Sequence, residues 1–116
     1  MKKLIPVLLG VMLALGAATQ DVTALKNHYL KMYKQALNYN DANAAINALH
    51  GYIATDNNIL YKDTLSMLYF NTKSFYSALQ LSEEVYKALP DNVEAMARAA
   101  ECYDELGDPQ NSHQSL

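Results

Sequence analysis

The sequence predicts an all-α chain built from antiparallel helix hairpins, and three observations carry that prediction. Apolar residues recur at the spacing of a helical face through positions 58–92. Tyr61, Leu65, Leu68 and Tyr69 form a first run, and Phe75, Ala78, Leu79, Val85, Tyr86 and Leu89 form a second. A polar break from Asn71 to Ser74 separates the two runs, and Leu89-Pro90-Asp91-Asn92 stops one helix and caps the next. Alternation of apolar and polar residues never persists over five residues, so no strand pattern competes.

The chain opens with Lys2 and Lys3, an uncharged apolar run from Leu4 to Leu15, and the small residues Gly16, Ala17 and Ala18. This is the pattern of a bacterial secretory signal peptide, with cleavage expected after Ala18. The apolar run is shorter than the roughly 20 residues of a spanning helix, and no cysteine follows it to carry a lipid. The predicted organisation is a signal peptide over 1–18, one helical domain over 19–107, and a disordered polar tail over 108–116. The expected location is periplasmic or secreted, with no stable membrane insertion after cleavage. Of the 116 residues, losing the leader with its two lysines takes the formal charge from −3 to −5. A small, mildly acidic domain lacks the basic patches that hold nucleic acid.

In the mature part, a first helix is expected over 22–38. Its stripe is Leu25, Tyr29, Met32, Tyr33, Ala36 and Leu37, with Asp21 or Thr23 as its cap. Tyr39-Asn40-Asp41 reads as a turn. A second helix follows over 42–54 with Ala45, Ile46, Leu49, Tyr52 and Ile53 on one side. Gly51 costs this helix up to about 1 kcal/mol against Ala, and its lack of a side chain allows a close helix approach. The third and fourth helices are the two runs already described. A fifth is expected over 93–106, capped by Asn92 or Asp91, ended by Gly107, and turning Met96, Ala100, Tyr103 and Leu106 inward.

The stretch also repeats. Thr55–Asn58 returns as Leu89–Asn92 after 34 residues, Ala44 returns as Ala78, Ser66 as the small Ala100, and Tyr69 as Tyr103. The sequence Ala-Ala-Glu-Cys-Tyr-Asp-Glu-Leu-Gly-Asp-Pro around Tyr103 closes the period. On these residues the chain resembles a tetratricopeptide (TPR) repeat protein, whose period is about 34 residues. Lys73 and Ser74 stand where that family has Gly and an acidic residue or Asn. The first hairpin fits the same register only with a turn about two residues longer. The resemblance implies a short right-handed α-solenoid of five helices, about two and a half repeats. Its lone last helix would cover the final hairpin and turn Glu94, Arg98, Glu101, Asp104 and Glu105 outward.

No catalytic constellation is present. His28, His50 and His113 have no metal-ligand spacing, and Glu83 and Glu84 point about 100° apart on a helix. Cys102, the single cysteine, reads as a small buried hydrophobe. Seven of the nine tyrosines fall on stripe positions and read as core with their hydroxyls at its edge. The expectation is a non-enzyme without cofactor or metal.

The resemblance places a peptide groove on the first helix of each hairpin. The candidate contacts are Lys31 and Lys34 on the first helix; Asp63, Met67, Phe70 and Asn71 on the third; and Glu101 and Asp104 on the fifth. Asn27, Gln35, Leu60, Glu94, Ala97 and Glu105 are their neighbours on the same faces. Such a groove is basic at one end, apolar at Met67 and Phe70, and acidic at the other. The competing assignment for Met67 and Phe70 is packing between hairpins. The implied function is protein or peptide binding, as a scaffold or assembly factor. The alternative is a self-associating structural repeat protein, or a fragment of a longer array.

Overall fold

Three helices of the chain end in the same way, and that ending sets the repeat. The structure, a computed structural model, describes residues 22–108. The expected signal peptide, its cleavage point, the Asp21 cap and the tail beyond Asp108 lie outside the described residues. Helix α1 covers residues 22–38, α2 Ala42–Thr55, α3 Ile59–Asn71, α4 Phe75–Ala88 and α5 Val93–Glu105. There are five helices and no strand among the described residues.

Helices α1, α3 and α5 each close on a residue of left-handed backbone: Asn40 at φ 54°, Lys73 at φ 65° and Gly107 at φ 80°. The amide after each returns to the carbonyl five residues back, Asp41 to Ala36 at 2.9 Å, Ser74 to Tyr69 at 2.8 Å and Asp108 to Tyr103 at 2.7 Å. This double-bonded closure satisfies carbonyls that the helix leaves without partners. The three closures are 33 and 34 residues apart. The turns of the two complete hairpins are therefore equal, each three residues. The expected longer turn in the first hairpin is not found, and Ala45 rather than Ala44 is the counterpart of Ala78. Both are fully buried, whereas Ala44 is half-buried. The extra residue of the second interval lies between α4 and α5, at 89–92 against 56–58.

The starts of α2, α3 and α5 are held by side-chain caps, whereas Ser74 at the start of α4 makes none. Asp41 accepts the Ala44 amide at 3.1 Å, Asn58 that of Leu60 at 2.9 Å and Asn92 that of Ala95 at 3.0 Å. Successive helices from α2 onward pack on one another, and α3 also touches α5. One core cluster joins Ile46, Leu49, Tyr52 and Leu65, with Tyr29, Leu30 and Tyr33 of α1 packed against it. A second joins Ala78, Leu79, Ala99 and Cys102. Tyr69 packs against both and links the hairpins.

Small residues let the helices approach. A Cβ at Gly51 would lie well inside contact distance of Tyr29 Cε1, so the missing side chain is what seats α1 on α2. Ser66 and Ser82 are fully buried between α3 and α4. Ser66 Oγ donates to the Ala78 carbonyl at 2.9 Å and lies 2.6 Å from Ser82 Oγ. Both hydroxyls are thereby satisfied in an apolar seam.

Helix α5 differs from expectation in its rotation. Its buried residues are Ala95, Arg98, Ala99, Ala100 and Cys102, while Met96 and Tyr103 are half-buried and Leu106 is exposed. Arg98 was expected on the outer face and is buried instead. The correction has a physical cause: α5 is wedged against both α4 and α3, so alanines fill the contact. The long Arg98 stem lies down between the helices to reach a carboxylate on α3.

Candidate functional site

Helices α1, α3 and α5 are the first helices of successive hairpins. Their equal closures bring equivalent turns into rows. The intervals of 33 and 34 align Asn27, Leu60 and Glu94, then Lys31, Thr64 and Arg98, then Lys34, Met67 and Glu101, and finally Asn38, Asn71 and Glu105. Each row reads from basic or amide on α1, through an apolar, hydroxyl or amide side chain on α3, to a charged residue on α5.

Within this face the sequence-predicted candidates have different standing. Lys31, Lys34, Asn71, Glu101 and Asp104 are exposed. Asn27, Lys31, Lys34 and Asn38, with Leu30 and Gln35, line a shallow depression on α1. Met67 is 44% and Leu60 58% exposed, so α3 offers two large apolar side chains to solvent. Phe70 is half-buried. It packs against the Ala78–Cys102 cluster and meets Phe75 edge-on, ring centroids 5.5 Å apart. The competing packing assignment thus describes Phe70, and the exposed one describes Met67.

Asp63 is engaged rather than free. Arg98 Nη1 donates to Asp63 Oδ1 at 2.8 Å, with side-chain exposures of 9% and 21%. This ion pair ties α3 to α5 in the middle of the face. Leu60 and Met67 lie one turn to either side of Asp63, and Glu94 and Glu101 one turn to either side of Arg98. The sequence reading missed the pair. Its only trace was an acid and a base about one period apart. The other α3 charge, Lys62, reaches Glu84 of α4 at 2.9 Å. Among the described residues, therefore, every cation of α3 and α5 is in an ion pair. Glu94, Glu101, Asp104 and Glu105 are in none.

Away from this face, polar edges finish the packing. His50 Nε2 lies 2.5 Å from the Tyr69 hydroxyl between α2 and α3. Tyr103 donates to Glu83, and that hydrogen bond, with burial, pushes the Tyr103 phenol up to about 12. Burial pushes the Cys102 thiol up to about 11, Arg98 opposing and Glu101 and Glu105 adding to the shift. A thiol so held stays protonated and is a poor nucleophile. Among the described residues no group of three or more His, Cys, Asp or Glu is placed to hold a metal ion. No helix among them is long and apolar enough to cross a membrane.

No family model matches the sequence, and no curated protein matches it. Solved structures do. MamA protein superimposes with a TM-score of 0.67 at 18% identity, over 78% of this chain and 50% of MamA. The chain thus spans half the length of that protein. The N-terminal domain of stress-induced protein-1 (STI-1) from C. elegans superimposes with a TM-score of 0.64 at 22% identity, over 82% of this chain and 84% of that domain. The fold is all-α and tetratricopeptide-like.

Proposed function

We propose that this chain is a non-catalytic protein-binding scaffold or assembly factor, exported to the periplasm or beyond, that holds its partner on the α1–α3–α5 face. The observation that carries this reading is the pair Leu60 and Met67, 58% and 44% exposed on the helix that the solenoid flanks on both sides. Burial of these two side chains under a partner is favourable at about 25 cal/mol per Å². The solenoid geometry supports it, since stacked hairpins present their first helices as one extended surface. The export reading rests on the leader pattern of residues 1–18.

The test uses the exported protein as bait in periplasmic extract, beside a Leu60→Ser/Met67→Ser variant. A partner held by the wild type and lost by the variant, with thermal melts within about 0.5 kcal/mol as for exposed positions, is the expected result. Equal capture by both moves the binding surface elsewhere.

A second reading, self-association, is favoured by one observation. Met32 is 40% exposed, whereas its counterpart one repeat later, Leu65, is 1% exposed beneath α2. Val22 and Leu25 are also exposed on α1, at 47% and 43%. This is the flank on which a further helix would stack. Light scattering across a concentration series separates the readings, because a second copy on α1 gives a mass that rises with concentration.

A further inference from the structure

We propose that the α1–α3–α5 face receives a protein segment whose charge runs from acidic to basic around an apolar centre. Its acidic end lies against Lys31 and Lys34 of α1, and its basic end against Glu94 and Glu101 of α5. This deepens the scaffold reading and rests on it.

The argument is one of charge complementarity around an apolar strip. The Lys34, Met67 and Glu101 row crosses the face as cation, apolar side chain and anion. Two turns away, Asn27, Leu60 and Glu94 repeat the pattern with an amide at the α1 position. Lys31 and Lys34 are exposed, and no carboxylate among the described residues pairs with either. Between them and the α5 carboxylates, Asp63 and Arg98 neutralise one another at 2.8 Å. The centre of the face therefore carries no net charge, and among the described residues its large exposed apolar side chains are Leu60 and Met67. A uniformly basic segment meets repulsion at α1, and a uniformly acidic one meets it at α5. Only a segment of mixed polarity satisfies both flanks and still covers the apolar strip. Two interhelical steps of about 10 Å separate α1 from α5. About six extended residues bridge that distance, so a segment of about nine residues reaches both flanks.

The test uses two fluorescent nonapeptides of identical composition, titrated against the full protein by anisotropy. One places glutamates at one end, leucines in the centre and lysines at the other. The second interleaves the same residues. The polarised peptide is expected to bind at least about tenfold more tightly, the sum of several rim charge contacts. Lys31→Glu/Lys34→Glu and Glu94→Lys/Glu101→Lys should each weaken it by about tenfold. The four changes together should restore it, because the peptide then fits in the opposite direction. All these positions are exposed, so unchanged melts accompany the expected result.

Equal binding of the two peptides overturns the proposal, as does failure of the fourfold variant to recover. If neither peptide binds but a Met67-dependent partner is still captured, the charge rule falls and the scaffold reading stands. If capture fails as well, both fall.

Discussion

At the scale of single residues, the molecule depends on places where a side chain is missing or small. Gly51 looks like a flaw in a helix, and replacement by Ala should gain up to about 1 kcal/mol from propensity alone. The Tyr29 ring occupies the space that the new methyl needs. Overpacking of that kind costs about 1–3 kcal/mol, so Gly51→Ala is expected to lower the melting temperature. A rise would mean that α1 is not seated on α2 as described. Cys102 gives a pH-dependent counterpart. The unfolded thiol ionises at about 9.0, whereas the folded one is held up to about 11 by burial. The folded state therefore retains a proton that the unfolded state releases. Stability is intact below the lower value and falls as pH rises through the window between them. Urea denaturation at pH 7.5 and 10, wild type against Cys102→Ala, is expected to show the larger loss at high pH in the wild type. Equal losses would place Cys102 in water.

At the scale of elements, the helices were legible and their rotations less so. Of the stripe expected on α1, only Tyr29, Tyr33 and Ala36 turn inward, while Leu25, Met32 and Leu37 are exposed. Periodicity located α1 to α4 and the inward faces of α2 to α4, because each of those three packs one dominant stripe: Leu65 with Leu68 and Tyr69, or Ala78 with Leu79 and Val85. It failed on α5. An amphipathic reading assigns every large apolar residue inward and every charge outward. A helix packed on two neighbours instead buries its alanines and one ion-paired arginine. That information lies in the pairing of Arg98 with Asp63, which no local pattern reports. The turn length was misjudged for a related reason. Ala44 and Ala45 are both alanine, and only the left-handed closures at Asn40 and Lys73 fix which one faces the core. Lys73 holds a conformation that costs an L-residue about 1–2 kcal/mol, against a smaller entropic cost for glycine in the unfolded chain. Lys73→Gly is therefore expected to raise the melting temperature by the equivalent of a few tenths to about 1 kcal/mol. A lowered value would show that the Lys73 side chain contributes more than its backbone strains.

At the scale of the whole molecule, five helices stack so that three of them share one face and the other two carry the opposite one. The sequence already held the charge gradient along that face, in Lys31 and Lys34, Met67, and Glu101 with Asp104. It left Phe70 between groove and packing, and the structure packs it against Phe75; it did not reveal that Asp63 is bound to Arg98. Site residues and core residues share the same helices at neighbouring positions, and periodicity alone does not divide them. The methionines offer a direct readout of which surface a partner uses. Met67 lies on the α3 face, Met32 on the open flank of α1, and Met96 is half-buried on α5. With methionine methyls labelled with carbon-13, NMR spectra are recorded as captured partner or polarised peptide is added. The account predicts a large shift of the Met67 methyl at concentrations where the Met32 methyl is unmoved. A shift of Met32 with Met67 unchanged would contradict it and place the partner on the end of the solenoid.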